Sequence, residues 1–379
     1  MKKKVASLLQ INLLILALTA AWLGFSYINR VSGEPWNTLR VIIVLVLVVA
    51  SIILSDVISS IFHELGHLLG GLLSGYSFIY FGCFGVIWIK EDGKLVRKKS
   101  NTKGMKGVSR LSPPDMKNGT FPFRLYYFSG AFMNLVLAGI CALLFFQAAS
   151  FFTAWAKVFL IVGLKALIDF IMSLVPINAD GIWNDGYILF NLGKEKNKEV
   201  RLKYWRNLRI QGFISGGNRP RELPPMYYEW ANLNKTIEDY FTFEAGLIQY
   251  KHLMDIGEFA KALKCLQTLS NRLDDSLSSS QPLLDLELMF HELIGKCREE
   301  KIKELDTKEV SEYMKTAGLN ESIQRIAYAY ARLFSKDNTL AKQHLAFFEM
   351  ACANSVNLGS IPGEKDLVKL VDQIADTRL

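Results

Sequence analysis

An apolar segment that runs from about Val41 to Leu54 leads into the sequence His63–His67, which reads His-Glu-Leu-Gly-His. About 20 mostly apolar residues can cross a bilayer as a helix, so this segment predicts a membrane-spanning helix with two histidines near one end. Ionisable side chains near the bilayer core are costly, and where they occur they usually serve a function. The placement of the motif therefore predicts an active or binding site inside a membrane or at its edge.

In a helix, the two histidines of this motif share one face. His63 and His67 are four residues apart, so both imidazoles can reach one metal ion. Glu64 is rotated by about 100° from His63, which leaves its carboxylate beside the metal and able to take a proton from a metal-activated water. The pattern is typical of a zinc peptidase. The alternative interpretation requires no metal: these polar residues would simply end a helix at the membrane interface.

Catalytic zinc takes three protein ligands and keeps one position open, so a third ligand must come from elsewhere in the chain. The last long apolar segment ends before Pro176, which breaks a helix, and two Asp-Gly pairs follow it. Asp180 and Asp185 are therefore both candidates for the third ligand. Asp-Gly pairs are also common in surface turns, and in that case neither aspartate would bind metal.

Together these features resemble the site-2 protease family of intramembrane zinc metalloproteases. The resemblance covers about Val41–Leu189 and also rests on Gly130–Asn134, which reads Gly-Ala-Phe-Met-Asn and opens the intervening span. It implies that His63, His67 and an Asp-Gly aspartate bind zinc and that Glu64 is the general base.

The resemblance also bears on three further parts of the chain. It implies that Asn134 supports the site and that Tyr76–Ile89 is membrane-associated β-structure that holds a substrate in extended form. It favours Asp185 over Asp180 as the ligand, because Asp185–Leu189 continues like the helix that follows the ligand in this family. The chain departs from the family at Ser173, where an asparagine is usual three residues before the proline.

Other polar residues lie in the predicted spans. Asp56 precedes His63 by seven residues and shares its helical face, so its carboxylate either supports a histidine ligand or lines a polar cavity. Lys165 and Asp169 are four residues apart in the last span, which predicts a structural ion pair rather than a catalytic role. The segment His291–Gly295 imitates the histidine motif but lacks its second histidine.

Hydropathy predicts four spans and a multi-pass protein of the cell membrane. The spans are Val5–Ile28, Val41–Leu73, Leu125–Phe152 and Trp155–Val175. A signal peptide is the alternative for the first. Lysine and arginine are concentrated at the N-terminus and after the second and fourth spans, which predicts that both termini are cytoplasmic.

The net charge of +8 arises largely beside the apolar spans. An anionic membrane surface explains this better than nucleic acid, so no nucleic-acid partner is predicted. Five cysteines are scattered along the chain without a close pair, which indicates neither a disulfide framework nor a cysteine zinc site.

Two segments outside the spans have patterns of their own. Tyr76–Ile89 is rich in aromatic residues with interspersed glycines and predicts a β-hairpin at the membrane surface. The following segment, Glu91–Gly119, is basic and rich in Gly, Ser and Asn, so it predicts a mobile loop.

The C-terminal half is polar, and its apolar residues recur at helical spacing. We expect a membrane metalloprotease core over residues 1–194, a juxtamembrane linker over 195–225 and a cytosolic helical domain over 226–379. Gly257–Leu263 is typical of the turn and second-helix start of a tetratricopeptide repeat, and Ala327–Met350 predicts another helix pair. The fold class expected is therefore a membrane α-helical core with an all-α helical-hairpin domain.

The predicted function is that of an intramembrane zinc metalloendopeptidase. Its substrate would be a transmembrane or membrane-bound peptide or protein in the lipid bilayer, and the helical domain offers a surface for a protein partner. A non-catalytic membrane adaptor, or a factor for peptide export or immunity built on the same core, is the alternative.

Overall fold

The computed structural model describes residues 38–100, 106–149, 154–179 and 182–378. The strands are β1 (Ser77–Cys83), β2 (Val86–Glu91), β3 (Lys94–Lys99), β4 (Gly107–Ser112), β5 (Asn178–Ala179) and β6 (Ile182–Trp183). The first helices are α1 (Thr38–Leu73), α2 (Phe123–Ala149), α3 (Ala154–Leu174), α4 (Asp185–Asn191) and α5 (Lys198–Ser215). The later helices are α6 (Tyr240–Asp255), α7 (Phe259–Arg272), α8 (Gln281–Ile294), α9 (Glu299–Leu305), α10 (Lys308–Ala317), α11 (Glu321–Ala329), α12 (Asn338–Asn354) and α13 (Ile361–Thr377).

Among the residues that the structure describes, two helices are long and apolar enough to cross a membrane. They are Val49–Leu73 within α1 and Phe123–Gln147 within α2. Helix α3 forms where the fourth span was predicted, but it carries charged residues in its interior. The predicted first span, Val5–Ile28, lies outside the described residues. The protein is thus mostly helical with two candidate spans, and the four-span arrangement stays a prediction.

The chain divides into two compact units. The described residues of the first unit are 38–76, 106–109, 121–149, 154–179 and 182–198. Those of the second unit are 77–100, 110–120 and 199–378. The first unit therefore holds the long apolar helices, and the second holds most of the sheet together with the helical domain.

Helices α1 and α2 approach closely because small residues line their contact. A Cβ atom on Gly66 would lie 2.2 Å from the carbonyl oxygen of Ser129, and one on Gly70 would lie 2.1 Å from the hydroxyl oxygen of Ser129. Small residues permit such close approach where apolar helices pack in a membrane. The glycine inside the histidine motif is therefore part of the helix contact.

The predicted aromatic hairpin is present as β1 and β2. The strands pair antiparallel, with Phe81 opposite Trp88, and their two-residue turn places Phe84 and Gly85 at positive φ of 47° and 82°. Positive φ at both central residues is the turn geometry that matches the twist of a hairpin. The aromatic and glycine pattern was sufficient to predict this element.

The prediction of a mobile loop over Glu91–Gly119 was wrong, because β3 and β4 lie within it. The four-stranded sheet has the order β3-β2-β1-β4. Asp92 and Gly93 form a second two-residue turn, with φ of 48° and 79°, and so continue the hairpin into β3. The outer edge of β3 is covered within its unit, since Lys99 N donates to Asn354 Oδ1 at 3.0 Å. The many basic residues of β3 had concealed its strand pattern.

The second unit is built largely from helical hairpins. Helices α6 and α7 form the pair predicted around Gly257, which adopts a φ of 80° at the turn. Helices α11 and α12 form another pair, joined through a π-helical turn at Tyr330–Phe334. The segment predicted as a linker contains α5, an 18-residue helix. Tyr250, on α6, is a large side chain that is only 2% exposed.

A buried charge cluster lies among α8, α11 and α13. The Arg325 guanidinium donates to both carboxylate oxygens of Glu287 at 2.8 and 2.9 Å and to Glu364 at 2.6 Å. It also lies over the Phe290 ring, 3.9 Å from its centroid. The Tyr250 hydroxyl donates to Glu287 at 2.9 Å, which explains why a tyrosine is accommodated here. The cluster links three helices that are far apart in sequence.

Replacement of Arg325 by methionine is expected to lower the free energy of unfolding of the second unit by about 3–5 kcal/mol, because it leaves Glu287 and Glu364 buried without their cation. Hydrogen exchange in α8, α11 and α13 of the full-length protein measures the loss. Arg298→Met is the control, since Arg298 pairs with Glu292 while its own side chain is 56% exposed. Equal losses in the two variants would contradict a special role for the buried cluster.

Candidate metal centre

Three potential metal ligands converge in the first unit. His63 Nε2 and His67 Nε2 lie 3.0 and 3.1 Å from the same Asp185 oxygen, Oδ2, and 3.1 Å from each other. The histidines come from α1, and Asp185 is the first residue of α4. The three side chains are together close enough to hold one metal ion.

The orientation of His67 is fixed by helix α2. Its Nδ1 atom donates to the backbone oxygen of Tyr126 at 2.7 Å, and the side chain is 8% exposed. A Cβ atom on Gly130 would lie 2.5 Å from His67 Nε2, so only glycine leaves room for the ring. Gly130, the first residue of the motif Gly130–Asn134, therefore leaves the space that the His67 ring occupies.

The same motif ends with the residue that contacts the other histidine. The Asn134 side-chain amide lies 3.3 Å from His63 Nδ1, and Asn134 is 1% exposed. Asp56 was the other candidate for this role. Its carboxylate instead contacts Lys106 at 2.7 Å and Lys165 at 3.4 Å, so among the described residues it belongs to a polar network.

Asp185 is held in place by the residues on either side of it. Asn184 caps α4: its Oδ1 accepts from Tyr187 N at 3.0 Å and from Ile177 N at 2.8 Å. A Cβ atom on Gly186 would lie 2.5 Å from the Leu174 carbonyl oxygen, so α4 starts directly against the end of α3. The Asp-Gly pair is thus a helix start.

Asn184 was missed by the sequence analysis. Its signal was present, since asparagine is among the preferred residues immediately before a helix, but Asp185 had been favoured only for the residues that follow it. Asp180, the alternative ligand, lies outside the described residues.

Hydrogen-bond chemistry favours a cation at the centre of the three side chains. The Tyr126 carbonyl can only accept, so His67 Nδ1 carries a proton, and Nε2 of the neutral ring presents a lone pair. The Asp185 carboxylate also only accepts. Protons on both Nε2 atoms would place two N–H donors 3.1 Å apart. One metal ion satisfies all three atoms, so the donor set fits a metal.

The ionisation of Asp185 fits this role as well. Burial alone would raise the pKa of its carboxyl, but positive charge on the imidazoles of His67 and His63, which a cation would supply in their place, holds that pKa well below its usual range. The side chain is therefore ionised, as a carboxylate ligand must be.

Glu64 lies beside the three ligands. It is half-buried, and its charge acts on His67. A Cβ atom on Gly107, the first residue of β4, would lie 2.5 Å from Glu64 Cγ and 3.0 Å from Oε1. The backbone at the start of β4 thus packs against the Glu64 side chain, and this contact between distant parts of the chain could not be predicted from helical spacing.

No family model, curated protein or solved structure matches this chain. The resemblance to site-2 proteases therefore stays a prediction that rests on the motif residues.

Replacement of Asp185 by alanine is expected to reduce bound metal from about one equivalent per chain to a small fraction, because two histidines alone make an incomplete site. Elemental analysis of the purified full-length protein measures the metal content. Asp180→Ala is the matched control, since it removes the neighbouring Asp-Gly carboxylate and should leave the metal in place. The reverse result, with metal lost from Asp180→Ala and kept by Asp185→Ala, would show that the wrong aspartate has been identified.

Proposed function

We propose that this chain is an intramembrane zinc metalloendopeptidase that hydrolyses peptide bonds of transmembrane or membrane-bound peptides. The observation that carries the proposal is that His63 and His67 lie on a helix apolar enough to span a membrane and converge within 3.1 Å with Asp185 from α4, with Glu64 next to them.

Zinc is the metal that this donor set suits best. Two imidazoles and one carboxylate are a common set for catalytic zinc, which retains an open position beside its three protein ligands. When bound, zinc polarises the scissile carbonyl group and lowers the pKa of a water molecule. The chain supplies the orientation, since Tyr126 O and the Asn134 amide each hold the Nδ1 side of one histidine.

Glu64 supplies the acid–base chemistry. Its carboxylate is the group that takes a proton from the attacking water and delivers it to the leaving amine nitrogen. The contact of Gly107 with Cγ limits the positions that this side chain can adopt.

The surfaces of α1 and α2 support a membrane location. Large apolar side chains lie exposed along both helices, including Val46 at 61%, Ile53 at 60% and Leu143 at 67% exposure. Core helices of soluble proteins bury such residues, and large exposed apolar surfaces indicate contact with lipid or another protein. A substrate that reaches the site from the bilayer would itself be a membrane peptide.

The proposed topology is multi-pass with both termini in the cytoplasm, from the distribution of Lys and Arg beside the spans. A cysteine introduced at Glu34 is therefore expected to react with an impermeant thiol reagent added to intact cells, whereas one introduced at Lys99 is not. The parent chain controls for its own cysteines. Labelling at Lys99 from outside would invert the proposed orientation.

The helical domain is proposed to receive a protein partner or the cytosolic tail of a substrate, because helical arrays present extended concave surfaces. Arg325→Met tests this as well, since it loosens the array and leaves the metal-binding residues unchanged. Metal content should be retained while processing of the native substrate falls. Full processing by a destabilised variant would argue against a receptor role.

Replacement of Glu64 by glutamine is expected to reduce peptide cleavage by at least about 100-fold, because the amide cannot accept the proton. Metal content should stay near that of the parent chain. Cleavage of a labelled transmembrane peptide in proteoliposomes measures the effect, with the exposed Glu258→Gln as the control. Turnover that survives in Glu64→Gln would falsify the proposed chemistry. If the parent chain cleaves no peptide and yet its deletion from cells still has an effect, the alternative of a non-catalytic membrane adaptor is favoured instead.

A further inference from the structure

A continuous chain of polar contacts runs through the first unit from its surface to His63. Lys106 Nζ lies 2.7 Å from Asp56, whose other oxygen lies 3.4 Å from Lys165 Nζ. Lys165 also forms a short ion pair with Asp169, as its four-residue spacing predicted. Asp169 Oδ2 in turn lies 2.5 Å from Ser59 Oγ.

The last two contacts complete the chain. Ser59 Oγ lies 3.4 Å from Asn134 Oδ1, and Asn134 Nδ2 lies 3.3 Å from His63 Nδ1. Ser59 is fully buried and Asn134 is 1% exposed, so water is largely excluded from these contacts. Buried polar groups are stable only when their hydrogen bonds are satisfied, so the direction of each bond can be worked out.

The serine hydroxyl has one proton, and the Asp169 carboxylate can only accept it. Ser59 therefore donates to Asp169 and has lone pairs left for Asn134. With that proton used, Ser59 Oγ and Asn134 Oδ1 would face each other as two acceptors. We therefore infer that the amide is rotated by 180° from the orientation in the structure, with its NH2 group toward Ser59 and its oxygen toward His63 Nδ1; this exchange of N and O leaves the contact distances nearly unchanged. In this orientation the amide oxygen can accept only if His63 Nδ1 carries the proton.

We propose that Asp169, held by Lys165, is a positioning residue for His63 and acts through Ser59 and Asn134. We call the contacts from Lys165 through Asp169, Ser59 and Asn134 the relay. The relay fixes the His63 proton on Nδ1, so that the lone pair of Nε2 faces Asp185 and His67. This inference rests on the proposed metal site and deepens it. It gives the Lys165–Asp169 ion pair of α3 a role in the metal site, in addition to its contacts with α1.

Charge explains why Lys165 belongs to the relay. The carboxylates of Asp56 and Asp169 lie among apolar helices. Lys106 and Lys165 bring the net charge of this group of four side chains to zero. The Lys165 side chain is 11% exposed, whereas that of Lys106 is 59% exposed. The buried cation thus pairs with Asp169, whose carboxylate accepts the Ser59 proton.

Ser59→Ala tests the relay, because it removes the single hydroxyl between Asp169 and Asn134 and leaves both ion pairs of Lys165 in place. Ser55→Ala is the matched control: Ser55 is also fully buried on α1, one turn away, and donates to the Ile52 backbone oxygen at 2.8 Å. Zinc affinity of the full-length protein in detergent is measured by competition with a chelator. The Co²⁺-substituted protein gives an absorption spectrum that reports ligand geometry.

The expected result is zinc affinity about 10–100-fold weaker in Ser59→Ala, with an altered cobalt spectrum, and an unchanged affinity in Ser55→Ala. Asp169→Asn provides a second variant if Ser59→Ala does not fold: its amide oxygen can still accept from Ser59, so we expect a smaller loss. Thermal unfolding of the metal-free proteins separates the relay from a purely structural role, which would lower stability and leave affinity unchanged.

Two outcomes would overturn the inference in distinguishable ways. Equal zinc affinity in the parent chain, Ser59→Ala and Asp169→Asn would refute the relay while the metal site stands. A parent chain that binds neither zinc nor cobalt would refute the metal site itself, and the relay with it.

Discussion

The close approach of α1 and α2 at Gly66 and Ser129 is the constraint on which the metal site depends. A Cβ atom at Gly66 would lie 2.2 Å from a backbone oxygen of the neighbouring helix. At this separation the Tyr126 carbonyl reaches the His67 ring, and Gly130 leaves the space that the ring occupies. A wider helix spacing would remove both contacts at once. The site is therefore a property of a helix interface, and the motif on α1 supplies only part of it.

Much of the site could be predicted from local sequence. His63 and His67 share a face because they are four residues apart, and Glu64 falls beside them for the same reason. These relations need only helix geometry. The hairpin of β1 and β2 was equally local, since its aromatic strands flank a glycine-containing turn. Each of these features is determined by residues that are close to each other in the sequence.

The rest depends on contacts that span long stretches of chain. Asn134 lies 71 residues from His63, and Asp169 lies 110 residues from Ser59. Asp56 shares the histidine face as predicted, yet Lys106 and Lys165 take up its oxygens. Helical spacing gives the direction of a side chain but not which neighbour it meets. The β3 strand was missed for a different reason, because its buried Lys98 looked like a solvated residue until its partners were known.

Charge balance gives the metal a structural as well as a chemical consequence. The relay network is neutral by itself, with two lysines and two aspartates. The histidine site has two carboxylates, Asp185 and Glu64, beside imidazoles that are neutral when their Nε2 atoms face a metal. A divalent cation brings this second group to neutrality also. Since uncompensated charge is costly next to apolar helices, metal binding should stabilise the packing of α1 against α4 as well as complete the site.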